Sequence, residues 1–190
     1  MEEPVYHEKQ VKEFCALHAL NNLFQKDDAF LKSELDAVCY SLAPKVWFNP
    51  HKSLLGLGNY DVNVLIAVLQ NKGYQTIWFD QRKNPNCLQL SKIFGFIMNI
   101  PNDYHIGYIR LPLQRRHWIA IRKVGNCYYN LDSKLKEPLA IGQEAELISY
   151  LQQKLSHKDN QLFVVVPSDV HDWQIDSVSA SCDPSSSESR

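Results

Sequence analysis

The apolar residues of this 190-residue chain change their repeat at Gly73. Before that glycine they recur every three or four residues, which is the helical period. Leu17, Leu20, Leu23 and Phe24 mark a helix over 15–25. Leu35, Val38, Cys39 and Leu42 mark a second over 33–42, with Ser33 and Asp36 as a weak capping box and Pro44 as its stop. Val62, Leu65, Ile66 and Leu69 mark a third over 61–72, closed by Gly73. From Tyr74 onward the chain breaks into short β-branched and aromatic runs: YQTIWFD, FGFIMNI, HWIAIRKV, NCYYNLD and QLFVVVP. Gly125–Asn126 between two of these runs is a hairpin signal. A fourth helical pattern, 143–154, separates the last two. Helices followed by runs of strands predict an α+β fold, with N-terminal helices packed on an antiparallel sheet.

The length suits one domain, expected over 1–172. Beyond Asp172 the composition turns to serine and polar residues, ending SVSASCDPSSSESR, and 173–190 reads as a disordered tail. A net charge of -1 gives no basic footprint, so nucleic acid is not an expected partner. No apolar run is long enough for a transmembrane segment. The polar start, MEEPVYHEKQ, lacks a signal-peptide pattern, and five scattered cysteines without CxxC spacing suit a reducing compartment. The expected location is cytoplasmic, with the nucleus also open. Neither a metal nor a cofactor is implied by any motif. Cys15-x-x-His18 has no second ligand pair, and GLGNYD at 56–61 is neither a dinucleotide fingerprint nor a phosphate loop.

The chemistry concentrates at Cys15. It opens the first helix, where unpaired backbone N–H groups and the helix dipole favour a thiolate. A small buried filler is the ordinary reading of such a cysteine. A nucleophile needs a base. His18 lies beside the thiol on the same helix and is expected to be a packed or hydrogen-bonded residue. His117 is the better base, at the start of HWIAIRKV, with Asp132 at the end of the next strand. A hairpin tied at Gly125–Asn126 brings His117 and Asp132 nearly opposite, so that a carboxylate can hold the imidazole in one tautomer. Gln10, five residues before Cys15, could supply an oxyanion donor together with the Cys15 N–H. Singly, each residue has a structural explanation; the combination singles them out. Trp118, facing opposite to His117, is expected in the core.

The segments YHEKQVKEFCALHALNNLFQ, SLLGLGNYDVNVLIAVLQNKGY, RRHWIAIRKVGNCYYNLDSKL and LFVVVP resemble, in order and spacing, the Josephin family of deubiquitinating cysteine proteases, over about Val5 to Pro167. The resemblance is nearest the short, stand-alone members rather than the long ataxin-type ones. It implies a papain-like fold and hydrolysis of isopeptide or peptide bonds at the ubiquitin C-terminus, with ubiquitin and ubiquitinated proteins as partners. By motif position it makes Cys15 the nucleophile, His117 the base, Gln10 the oxyanion donor and Asp132 the third member, where some relatives have asparagine. Val62 and Asn63 match a ubiquitin-binding patch of the family, whereas Lys72 stands where ataxin-type members carry tryptophan. The segment 33–44 resembles the family's mobile helical hairpin. Gly56 and Gly58 are candidates to leave open a narrow slot for ubiquitin's diglycine tail, excluding bulkier residues by clash. The alternatives are a latent or inactive ubiquitin-binding module and, more weakly, an acyltransferase built on the same three residues.

Overall fold

A computed structural model describes residues 4–10, 14–43, 60–106 and 109–175, with backbone alone for 103–106 and 109–115. Pro44, Gly56, Gly58, Cys182 and the serine-rich 176–190 lie outside the described residues. Three helices come first: α1 (Cys15–Phe24), α2 (Lys32–Leu42) and α3 (Val62–Asn71). Then follow β1 (Tyr74–Phe79), β2 (Gly95–Ile106), β3 (Ile109–Val124), β4 (Cys127–Asn130), β5 (Leu139–Gly142), α4 (Glu144–Leu155) and β6 (Gln161–Pro167). The strands form one antiparallel sheet in the order β1-β6-β2-β3-β4-β5. This is the α+β arrangement expected from the change of period.

Strand alternation divides the apolar residues between two cores. Ile97, Trp118, Ala120, Phe163 and Val165 pack with α1, α2 and α3. Phe96, Met98, Ile119, Ile121, Leu162 and Val164 pack with Leu147, Leu151 and Leu155 of α4. The sheet therefore carries helices on both faces, and Trp118 is in the core as its position in the strand suggested. Its Nε1 donates to the Tyr60 carbonyl at 2.9 Å. α1 sits very close to the sheet at Gly95. A Cβ there would stand 2.6 Å from Leu23 Cδ1 and 2.9 Å from the Ile121 oxygen.

Local details correct the sequence reading in several places. α2 begins one residue earlier than expected, and its cap is made by Glu34, whose carboxylate accepts the Leu31 N–H at 2.9 Å. Asp36, assigned to that cap, instead pairs with Lys32 at 2.5 Å and accepts the Tyr60 hydroxyl. The buried stripe of α3 is Val64, Leu65, Val68 and Leu69; Val62 and Ile66 are only half-buried. Asp61 caps α3 through the Asn63 and Val64 N–H groups, and Gly73 follows in the left-handed region at φ +82°. β5 is a strand that no sequence run announced, and β2 and β3 extend well past their apolar cores. Trp173 to Ile175 pair back onto Cys87–Gln89.

Candidate active site

Cys15 is the first residue of α1, and no side chain caps the preceding Phe14. The helix is buried on almost every side, with Ala16, Ala19, Leu20 and Leu23 against the sheet and the other helices. Packing of α1 against β3 brings the front of the chain to His117. His117 Nε2 lies 2.6 Å from Asp132 Oδ1, and the Cys15 side chain is near enough to raise the proton affinity of the ring. Thiol, imidazole and carboxylate thus come together from α1, β3 and the turn after β4.

The register explains how Asp132 reaches the ring. Ile121 faces Asn130 in the β3–β4 ladder, so strict continuation would put His117 opposite residue 134. The ladder ends instead with the Leu131 N–H donating to the Ala120 carbonyl at 2.8 Å. The chain then turns, with the Asp132 N–H donating to Asn130 Oδ1 at 3.0 Å and Asp132 Oδ1 accepting the Lys134 N–H at 2.9 Å. These bonds aim the carboxylate back along β3. Burial alone lowers the proton affinity of His117, but hydrogen bonds and charge from Asp132 and Cys15 outweigh it, and its pKa is raised. Burial likewise raises Asp132, yet the bond to His117 and the Lys134 N–H leave its carboxyl below the ordinary carboxylate range. The environment favours the ionised pair at both ends.

Gln10 is half-buried, and its N–H donates to the Ser133 carbonyl at 2.7 Å, immediately after Asp132 in the chain. Gln10 is therefore tethered to the loop carrying the carboxylate. His18 is buried and bonded to Glu8, its Nδ1 2.7 Å from the Glu8 carboxylate, in keeping with the packed role expected of it. Val62 and Asn63 lie at the start of α3, half-buried and exposed respectively. Lys72 pairs with Glu34 at 3.7 Å and sits over the Phe30 ring. The four free cysteines among the described residues are Cys15, Cys39, Cys87 and Cys127.

Sequence reasoning missed the residues that hold this group together. His7 Nε2 lies 3.0 Å from the Asp132 carbonyl, and Asn22 bridges Glu8 and Leu131. Burial pushes the Tyr150 hydroxyl up to about 12, with the Asp132 charge acting in the same direction. One signal was present: Asn21 and Asn22 interrupt a largely apolar helix, and buried amides must find partners.

Fold and site together define a papain-like α+β protein, with a thiol at a helix start facing an imidazole on an antiparallel sheet. The chain belongs to the Josephin family, whose model matches residues 10–166. It is 50% identical over 167 residues to a Josephin-like protein of Drosophila melanogaster, covering 87% of this chain and 75% of that one. It is 45% identical over 168 residues to Josephin-2 of Homo sapiens, covering 88% and 89%. Ataxin-3 of Homo sapiens is more distant, 27% identical over 183 residues, covering 92% of this chain and 48% of that protein. Among the described residues no helix is long and apolar enough to cross a membrane, and no cluster of three metal-ligating side chains occurs.

Proposed function

We propose that the protein is a thiol-dependent ubiquitinyl hydrolase, a cytoplasmic cysteine protease that cleaves isopeptide or peptide bonds at the ubiquitin C-terminus. The observation that carries this reading is the 2.6 Å bond between His117 and Asp132, on a ring whose proton affinity Cys15 also raises. Membership of the Josephin family supplies the substrate class.

In this mechanism His117 takes the Cys15 proton, and the thiolate attacks the carbonyl carbon of ubiquitin's last glycine. The developing oxyanion is met by the Cys15 N–H and the Gln10 amide. The C–N bond breaks as His117 returns its proton to the leaving amine, leaving a thioester on Cys15. His117 then removes a proton from water, and the hydroxide attacks the thioester. The ubiquitin carboxylate departs, and Cys15 is restored as a thiol. Asp132 keeps the ring in one tautomer and stabilises its cationic form throughout. Val62 and Asn63, with Gly56 and Gly58, are proposed to contact ubiquitin and its tail.

Burial favours a second reading. Cys15 is 4% and His117 2% exposed, so turnover needs the site to open. In that reading the domain binds ubiquitin and remains latent until it does. Hydrolysis of ubiquitin carrying a fluorogenic C-terminal amide separates the two. The first reading predicts thiol-dependent turnover by the wild type, abolished in Cys15→Ala with ubiquitin binding retained. Saturable binding by the wild type without turnover establishes the second, and turnover by Cys15→Ala contradicts the mechanism.

A further inference from the structure

Three separate segments must keep register for Cys15, Gln10 and Asp132 to meet. One side chain touches all three of those segments. Asn22 lies seven residues after Cys15, two helical turns along the same face of α1. It is fully buried. Its Oδ1 accepts the Glu8 N–H at 2.5 Å, and its Nδ2 donates to the Glu8 carbonyl at 3.3 Å and to the Leu131 carbonyl at 3.0 Å. Glu8 is two residues before Gln10, and Leu131 is the residue before Asp132. The forked amide thus joins the helix bearing the thiol, the arm bearing Gln10 and the loop bearing the carboxylate.

We infer that Asn22 is a positioning residue for catalysis, fixing Gln10 and Asp132 relative to Cys15 through the Glu8 and Leu131 backbone. The inference rests on the reading of Cys15, His117 and Asp132 as a catalytic triad. Only an amide supplies both an acceptor and two donors at this distance from the chain. Aspartate keeps the acceptor for the Glu8 N–H but turns a second oxygen toward two carbonyls, so Asn22→Asp is not conservative here. Neighbouring contacts act in the same direction. His18 of α1 holds the Glu8 carboxylate, His7 bonds to the Asp132 carbonyl, and the Gln10 N–H bonds to the Ser133 carbonyl. Asn22 is the point where the bonds to the arm and to the loop converge on one side chain.

Loss of this link should let Asp132 and Gln10 drift while Cys15 stays on its helix. A displacement of about 1 Å near reacting groups typically costs on the order of 100-fold in rate. Asn22→Ala is therefore expected to lower kcat about 100-fold on the fluorogenic ubiquitin substrate with KM nearly unchanged. Asn22→Ser, which keeps a hydroxyl but lacks the fork, is the second variant should the alanine form not fold. Leu155→Ala, on the α4 side of the sheet, serves as a control of matched thermal destabilisation.

The deciding readout needs no ubiquitin. The rate of Cys15 alkylation by iodoacetamide is measured at pH 7, with peptide mass spectrometry to separate Cys15 from the other cysteines. In the wild type the neighbouring His117 should make Cys15 react faster than it does in His117→Ala. That advantage should shrink in the folded Asn22 variants and persist in Leu155→Ala. Persistence of the advantage and of kcat in a folded Asn22 variant overturns the inference alone. Equal loss in Leu155→Ala also overturns it, because the effect is then one of stability. A wild type with no advantage over His117→Ala overturns the triad reading, and the inference falls with it.

Discussion

An imidazole shut away from water should lose its proton easily, yet the surroundings of His117 act the other way. Asp132 and Cys15 both stabilise its charged form. The Asp132→Asn variant keeps the size and one acceptor oxygen but removes the charge. His117 then loses its proton at lower pH, so the alkaline limb of the kcat profile is expected to move to lower pH as kcat falls. An unchanged alkaline limb would show that the carboxylate does not tune the ring. Gln10→Ala tests a different atom. It should lower kcat by about 100-fold with little change in KM, as for other lost oxyanion donors. His117 and Asp132 were legible in the sequence because a hairpin fixes their distance along the chain. His7 and Asn22 were not, because their partners are backbone atoms more than a hundred residues away or on a segment without regular structure, and Glu8 lies on that segment.

α1 shows why period is a good guide to the existence of an element and a poor one to its contacts. A stripe of Leu17, Leu20, Leu23 and Phe24 identified the helix, but Leu17 and Phe24 are only half-buried, while His18, Asn21 and Asn22 are buried. A helix enclosed by a sheet, two other helices and the N-terminal arm has little solvent face, so polarity no longer marks its outside. β5 was invisible for the opposite reason. It is four residues long, lies at the sheet edge and is largely exposed, so it carries little alternation. Two substitutions test how these elements are joined. Gly95→Ala forces a methyl group against Leu23 and the Ile121 carbonyl, and should destabilise the protein by about 1–3 kcal/mol in urea unfolding. Asp61→Ala removes the cap from α3 and should cost about 1 kcal/mol by the same measurement. No loss in the first would mean that α1 does not press on β2 as described.

The whole chain converges on one charge pair, and its stability should carry that mark. Asp132 has a depressed folded pKa, so its contribution is present above the unfolded value near 3.9 and is lost as pH falls through the folded one. His117 has a raised folded pKa, so its contribution is present below about 6.5 and is lost as pH rises through the folded value. The gap in Tm between wild type and Asp132→Asn should therefore be widest between about pH 4 and 6.5 and narrow above that range. A gap independent of pH would mean that the pair is not ionised in the folded protein. The antiparallel sheet makes the pair possible by bringing β3 and β4 together against α1, and the Josephin family match covers all of these elements from Gln10 onward. The most direct test is exposure of the intact protein to ubiquitin bearing an electrophile in place of its C-terminal carboxylate. The account predicts one covalent adduct, on Cys15, absent in Cys15→Ala and strongly slowed in His117→Ala. A folded wild type that binds the probe without forming the adduct, or that forms it on another cysteine, would contradict it.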